Sequence, residues 1–170
     1  SSPGTYSKRT DNFLASLDRS DAAAFTSLCS FCWTLGGLTC LVFDPRHERY
    51  NKHGINFDTL TQLDSIGLVR FDAFAGFRRL GFPKTARAVY YGLPLDLEFP
   101  KDSDYELDIG TVLLTKLGRE LAPICGSAPL PDYFDFVRDR WATFAPTQSP
   151  QTPAPSDSSS AAIKQDPNAG

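Results

Sequence analysis

The chain has 170 residues, 41% of them hydrophobic and 22% charged, which is typical of an ordinary globular domain. Its net charge of -3 provides no overall attraction to nucleic acid or to an anionic membrane, so only a local basic segment could supply one. No apolar run reaches the roughly 18 residues of a membrane span, and the start of the sequence has no apolar signal-peptide segment. We therefore expect a cytoplasmic protein with no membrane partner.

The N-terminal part of the sequence predicts two successive helices. Ser7 can cap the first helix by accepting a hydrogen bond from a free N–H group of its first turn. The second begins at Ser20 or Asp21, and its apolar residues follow the i, i+3, i+4, i+7 spacing of a buried helix face. We expect this helix to continue to the Gly36-Gly37 pair, since glycine adopts the left-handed conformation at a helix end without steric cost.

The middle of the sequence predicts short strands around one further helix. Residues 38–43 form a continuous apolar run that is typical of a buried strand. A charged loop then leads to a helix that is capped by Asn56 or Asp58 and ends near Ile66. Residues 68–71 are predicted to leave this helix as a strand.

The second half of the sequence predicts strands and then two helices. The strands are expected at 87–91, 95–99 and 105–114, where an antiparallel hairpin is predicted. Thr115 can cap the next helix. The last helix begins after Pro131 and carries an apolar stripe, so it should dock on the body of the domain.

Together these elements predict one small α+β domain over 1–144, followed by a disordered tail over 145–170. The tail is rich in Pro, Ser, Ala and Thr and has almost no apolar residue whose burial could offset the entropy of ordering it. The sequence contains no methionine, even at position 1. This favours the interpretation that the chain was cut from something longer.

Cysteine is the first candidate for chemistry. The two-residue gap between Cys29 and Cys32 is that of a zinc half-site, but the pair is predicted to lie inside an apolar helix and no second pair follows. A redox role would favour a helix N-terminus, where the dipole lowers the thiol pKa. Cys40 and Cys125 complete the four cysteines. We expect reduced thiols packed in the core, with no metal and no cofactor.

Other patterns that could indicate an active or metal site fail on their spacing. His47 and His53 do not match the His-Glu-x-x-His pattern that places two imidazoles on one helix face. The acidic alternation over 102–108 lacks the glycine and the glutamate that a calcium loop needs at its sixth and twelfth positions. The sequence has no nucleophile elbow and no phosphate-binding glycine loop. We therefore expect that the protein is not an enzyme.

One segment could bind nucleic acid or another anion, with an ordinary surface segment as the alternative. Its basic residues accumulate without an acidic residue between Asp72 and Asp96, and aromatic residues are interleaved with them. Such a combination can hold phosphates and stack bases, although four charges would give weak, salt-sensitive binding. The candidate residues are Arg78, Arg79, Lys84 and Arg87.

The order of helices and strands resembles a winged-helix arrangement. The sequences LDSIGLV at 63–69 and LTKLGREL at 114–121 are similar to the exit from a recognition helix and to the return from a wing into a closing helix. The resemblance implies that the helix over 57–66 would face DNA. Because this helix contains Asp58 and Asp64 and no Lys or Arg, we expect it to contact protein rather than DNA.

A second resemblance covers roughly residues 3–142. The sequences PGTYSKRT at 3–10 and LTKLGRELAPIC at 114–125 are similar to the C-terminal part of a bacterial family of uncharacterised proteins, domain-of-unknown-function family 2806. Asp11 stands where the family usually has an aliphatic residue. A more distant similarity to abortive-infection proteins of phage defence implies a defence or stress context. Neither resemblance implies a catalytic residue.

These observations predict a protein-interaction or regulatory module that binds an unknown protein partner or associates with itself. Nucleic-acid binding through 78–87 is the alternative. The two differ in salt dependence, because phosphate contacts weaken steeply with salt whereas an apolar protein interface barely responds.

Overall fold

A computed structural model describes residues 7–99, 105–142 and 147–149. The helices are α1 (Lys8–Ser16), α2 (Arg19–Cys29), α3 (Glu48–Asn51), α4 (Phe57–Ser65), α5 (Lys116–Leu121) and α6 (Tyr133–Ala142), with a 3-10 turn at Ala122–Ile124. The strands are β1 (Cys32–Thr34), β2 (Leu38–Cys40), β3 (Val69–Phe71), β4 (Phe77–Arg79), β5 (Thr85–Tyr90), β6 (Leu93–Glu98), β7 (Leu107–Gly110), β8 (Val112–Leu114) and β9 (Thr147–Ser149). The fold is therefore mixed α+β, as the sequence predicts.

Within the described residues, the strands form three antiparallel sheets. The largest has the order β2-β1-β5-β6-β9, and its centre is the predicted hairpin of β5 and β6. The other two sheets are the pairs β3-β8 and β4-β7. The strand expected over 105–114 is instead divided into β7 and β8, because Gly110, with a φ of 94°, redirects the chain between them.

Side-chain caps begin three helices where the sequence predicts. Ser7, Asn56 and Thr115 each accept a hydrogen bond from the backbone N–H three residues further along, at the starts of α1, α4 and α5. α2 is capped by Asp18, slightly earlier than expected. The charged loop expected before α4 contains the short helix α3.

The second helix is shorter than predicted. α2 ends at Cys29, and the apolar residues that follow form β1, in which Cys32 pairs directly with Cys40 of β2. The prediction of a helix as far as Gly36 is wrong because a continuous apolar run fits a buried strand as well as a buried helix. Gly36, with a φ of 72°, lies in the β1-β2 turn instead.

The predicted tail over 145–170 lies mostly outside the described residues. Its described part, Thr147–Ser149, forms β9, which pairs with β6 at the edge of the largest sheet. None of the helices in the described part of the chain is long and apolar enough to cross a membrane.

An aromatic cluster joins the largest sheet to the last helix. Trp33 of β1 stacks on Tyr90 and Phe134, with ring centroids 5.2 and 5.4 Å apart, and meets Trp141 of α6 edge to face at 5.7 Å. Both tryptophans are fully buried. Stacked and edge-to-face contacts of this kind stabilise a core beyond the burial of apolar area, so α6 docks on the domain as predicted.

Two buried tyrosines connect α3 and α6 to the backbone after β2. The Oη atoms of Tyr50 and Tyr133 lie 3.0 Å apart. Tyr50 Oη accepts a hydrogen bond from the N–H of Phe43 at 3.2 Å, and Tyr133 donates one to the carbonyl of Leu41. Burial raises the pKa of Tyr50 to about 12 and raises that of Tyr133 well above its ordinary value.

The free energy of unfolding should therefore fall as the pH rises above about 10. Tyr50 keeps its proton to about pH 12 in the folded protein, whereas an unfolded tyrosine loses it near pH 10. The folded state binds more protons in this window, so the stability that the raised pKa provides is complete below pH 10 and is lost as the pH approaches 12. The loss from this one residue is about 2 kcal/mol.

Urea unfolding at pH 8 and near pH 12, for the wild type and Tyr50→Phe, measures this loss. The variant is expected to be less stable at pH 8 because it leaves the Phe43 N–H without its acceptor. Its further loss between the two pH values should be smaller than that of the wild type. Equal losses would contradict the assignment of the alkaline instability to Tyr50.

Candidate functional site

The four residues of the predicted anion-binding segment lie in different parts of the fold. Arg78 and Arg79 are on β4, whereas Lys84 precedes β5 and Arg87 lies on it. Arg87 binds Asp96 on the neighbouring strand β6 through two contacts, at 2.6 and 3.2 Å. Arg78 Nε lies 3.7 Å from a carboxylate oxygen of Glu106. Two of the four cations thus have carboxylate partners, and anion binding by this segment stays a prediction.

An exposed aromatic surface lies between α4 and the loop after β3. We use this name for the side chains of Phe57, Phe71 and Phe74. Phe74 is 96% exposed and Phe57 is 46% exposed, and the rings of Phe57 and Phe71 meet edge to face with centroids 5.1 Å apart. The three residues line a groove of about 360 Å³ together with Asp64 and Asp72. Contiguous exposed apolar groups of this kind mark interaction surfaces.

Hydrogen bonds from backbone N–H groups to two carboxylates fix the loop that carries Phe74. Asp72 Oδ1 accepts from the N–H of Ala75 at 2.9 Å and from that of Phe74 at 3.0 Å. These bonds lower the pKa of Asp72. Asp64 of α4 accepts from the N–H of Phe71 at 2.7 Å. Phe74 is therefore displayed on an ordered turn, which reduces the entropy that a partner must remove on binding.

Carboxylates predominate around the aromatic surface. Asp64 and Asp72 line the groove, and Asp58 is next to Phe57 in the sequence of α4, which has no Lys or Arg. Arg70 of β3 has its guanidinium over the ring of Phe77, 5.6 Å from the ring centroid. The surface thus combines apolar rings with net negative charge, and this charge favours a basic ligand.

A second candidate site consists of cysteine side chains. Cys29 ends α2, and Cys32 of β1 pairs directly with Cys40 of β2. Cys29, Cys32 and Cys40 are buried, as expected, whereas Cys125 is partly exposed just after the 3-10 turn. Among the residues that the structure describes, no group of three or more His, Cys, Asp or Glu side chains is placed to hold a metal ion.

The thiol of Cys125 donates a hydrogen bond to the carbonyl of Ala122 at 3.3 Å, and the hydroxyl of Thr26 donates one to the carbonyl of Cys125, also at 3.3 Å. Ser127 Oγ lies 2.6 Å from Tyr91 Oη, and the hydroxyl of Tyr91 donates a hydrogen bond to the carbonyl of Cys29 at 3.0 Å.

The neighbouring Cys29 side chain, together with Ser127 and Thr26, lowers the pKa of Cys125 to about 6, and the neighbouring Cys125 raises that of Cys29.

The sequence suggests redox chemistry for the pair Cys29 and Cys32 inside one helix, but Cys29 ends α2 and Cys32 lies on β1. Cys29 lines one cleft with Gly126 and Ser127, the two residues after Cys125, and no local spacing indicates this. The sequence does not predict the aromatic surface, because the exposure of Phe74 depends on which other faces the fold buries.

A family model described as "Protein of unknown function (DUF2806)" matches residues 1–138. No curated protein shows significant similarity to the chain, and no solved structure does. The winged-helix arrangement and the similarity to abortive-infection proteins therefore stay predictions.

Proposed function

The chain belongs to the DUF2806 family of proteins of unknown function, and we propose that this domain is a protein-interaction module whose partner binds the aromatic surface. The observation that carries the proposal is Phe74, which is 96% exposed on a turn fixed by Asp72. Burying a phenylalanine side chain contributes about 1.5 to 3 kcal/mol. Aromatic anchors of this kind often dominate the binding energy of protein interfaces.

The partner that we propose presents an aliphatic or aromatic anchor flanked by Lys or Arg. The groove of about 360 Å³ beside Phe57 and Phe71 can receive the anchor. The carboxylates of Asp58 and Asp64 can attract the flanking cations, which would speed association and select against acidic partners.

In the winged-helix arrangement predicted from the sequence, α4 has the position of the recognition helix. We propose that it binds protein instead of DNA. α4 contains two Asp residues and no Lys or Arg, so it would repel phosphates. In the basic segment, the ion pairs of Arg78 and Arg87 reduce the charge available to nucleic acid. Both observations support protein binding over the nucleic-acid alternative.

Selection from a phage-displayed peptide library on the full chain tests this proposal. Enriched peptides should combine an apolar anchor with basic residues. Phe74→Ser should weaken the Kd of a selected peptide at least about tenfold, because the buried ring contributes at least about 1.4 kcal/mol. Fluorescence anisotropy of the labelled peptide measures this change.

Leu93→Ser provides the matched control, since it removes a 54% exposed apolar side chain from β6, away from the aromatic surface. It should leave the Kd unchanged, and neither variant should shift the melting temperature appreciably. Equal affinity of the wild type and Phe74→Ser would contradict the proposal. Tight binding of a nucleic-acid oligomer that weakens steeply between about 50 and 200 mM salt would support the alternative.

A further inference from the structure

We propose that a cleft beside the largest sheet binds a small, neutral, apolar molecule that carries a hydroxyl group. The cleft lies where β1, β2 and β5 meet the 3-10 turn and the residues that follow it. Its volume of about 310 Å³ is at the small end of the range for small-molecule pockets. The site shares no lining residue with the aromatic surface and does not depend on the proposed interaction function.

Strand pairing builds the floor of this cleft. Thr34 of β1 pairs directly with Leu38 of β2 and with Val89 of β5, so the three side chains lie side by side on one face of the sheet. Trp33, the neighbour of Thr34, points to the opposite face, which α6 covers. Leu38 and Val89 are partly exposed and Thr34 is exposed, so a ligand can reach the floor.

The 3-10 turn and the residues after it form another wall of the cleft. Pro123 contributes an apolar side chain to this wall, and Gly126 and Ser127 complete it. The hydroxyl of Thr26 in α2 donates a hydrogen bond to the carbonyl of Cys125 at 3.3 Å, which attaches the end of the turn to α2. The wall is therefore fixed before a ligand binds, which lowers the entropic cost of binding.

Two hydroxyl groups that line the cleft are hydrogen-bonded to each other. Tyr91 has one hydroxyl proton and donates it to the carbonyl of Cys29 at 3.0 Å. Ser127 Oγ lies 2.6 Å from Tyr91 Oη, so Ser127 is the donor in this second contact. The serine oxygen keeps its lone pairs, and a hydroxyl group of the ligand can donate a hydrogen bond to it.

Tyr91 has a backbone conformation that tyrosine disfavours. Its φ is 44°, in a two-residue hairpin turn of the kind in which Asn, Asp or Gly is preferred. Bulky residues with positive φ are uncommon, and strained residues of this kind cluster at functional sites. The side chain of Tyr91 is 40% exposed and lines the cleft. The strain thus occurs at a residue that would contact the ligand.

The lining of the cleft favours a neutral ligand. In the described part of the chain, none of the residues that line it is charged. A carboxylate or a phosphate that entered would lose hydration without gaining an ionic partner. An uncharged apolar molecule would instead gain free energy by burying its surface against Leu38, Val89 and Pro123.

Fluorine NMR of the full chain with 4-fluorophenol as the probe tests this proposal. Binding should broaden the fluorine signal, with a Kd of about 1 mM or tighter, which a ligand of this size can reach. 4-Fluorobenzoate is anionic at neutral pH and should bind at least about tenfold more weakly. 4-Fluoroanisole lacks the hydroxyl proton and should bind about two- to tenfold more weakly, because one hydrogen bond is lost.

Thr34→Trp should abolish binding of 4-fluorophenol, because the indole ring would fill the cleft from its floor. Thr85→Trp is the matched control, since Thr85 is also an exposed strand residue but lies at the other end of β5, outside the cleft. It should leave the Kd unchanged. Ser127→Ala should weaken binding of 4-fluorophenol about two- to tenfold and leave that of 4-fluoroanisole unchanged.

Phe74→Ser separates this site from the aromatic surface and should leave the Kd of 4-fluorophenol unchanged. Circular dichroism first checks that each variant is folded, and Ser127→Ala decides the matter if Thr34→Trp is not. The proposal is overturned if wild-type protein does not bind 4-fluorophenol, or if folded Thr34→Trp binds it as the wild type does. Equal affinity for 4-fluorobenzoate, or loss of binding in Phe74→Ser, would overturn it as well.

Discussion

Gly110→Ala should lower the free energy of unfolding by about 2 to 5 kcal/mol. Gly110 has a φ of 94°, a conformation that costs alanine about 1 to 2 kcal/mol. A Cβ atom there would lie 2.5 Å from the carbonyl oxygen of Val42 and 2.8 Å from its carbonyl carbon. Backbone atoms cannot move aside as a flexible side chain can, so the clash adds about 1 to 3 kcal/mol.

The contact at Val42 is central to the fold because it joins two separate parts of the chain. The carbonyl of Val42 accepts hydrogen bonds from both the N–H and the hydroxyl of Thr111, at 2.9 and 2.8 Å. Pushing Gly110 away from Val42 would strain both bonds. The expected loss therefore includes part of this hydrogen bonding as well as the steric clash.

Gly67→Ala is the matched control for this prediction. Gly67 has a φ of 90°, but an added Cβ would have no atom within 4 Å. It should therefore cost only the backbone strain, about 1 to 2 kcal/mol. Urea unfolding followed by circular dichroism measures both variants, and equal losses would show that the close approach of Gly110 to Val42 has no energetic consequence.

Local interactions explain why several helices could be predicted. The caps at Ser7, Asn56 and Thr115 each involve an N–H three residues away, so the sequence near the helix start contains both partners. The β5-β6 hairpin is equally local, since its strands are joined by the two-residue turn at 91–92, where both residues have positive φ.

Interactions between distant segments explain what could not be predicted. β1 is a strand because it pairs with β2 and β5. A continuous apolar run does not show which segments it will pair with, so the sequence alone could not distinguish this strand from a helix. Likewise, β7 and β8 have partners far earlier in the chain, and only Gly110 signals that they separate.

Both candidate sites consist of residues from separate segments that the fold brings together. Phe57 and Phe74 come from a helix and a loop, and their exposure depends on which other faces the fold buries. Cys29 and Cys125 are far apart in the sequence, and the fold brings their segments together because α2 packs beside the 3-10 turn. Residue type suggests chemistry for the cysteines, but only the tertiary structure shows which segments that carry them are neighbours.

Trp141→Phe should destabilise the domain by about 2 kcal/mol more than Trp33→Phe. Both indoles are fully buried and lose the same atoms. Trp141 Nε1 donates a hydrogen bond to the carbonyl of Asp108 at 3.0 Å, whereas Trp33 Nε1 is buried without a hydrogen-bond partner in the described part of the chain. One substitution breaks a buried hydrogen bond, and the other removes a buried polar group whose desolvation is uncompensated.

Losing the N–H group lowers the free energy of unfolding at Trp141 and raises it at Trp33, whereas the loss of ring volume is similar at both sites. The difference between the two variants therefore isolates the contribution of the N–H group. Phenylalanine can keep the stacking of Trp33 on Tyr90 and Phe134, so Trp33→Phe should cost only about 1 kcal/mol. Urea unfolding of both variants at one pH gives the difference directly. Equal losses would show that the N–H of Trp33 has a hydrogen-bond partner in solution.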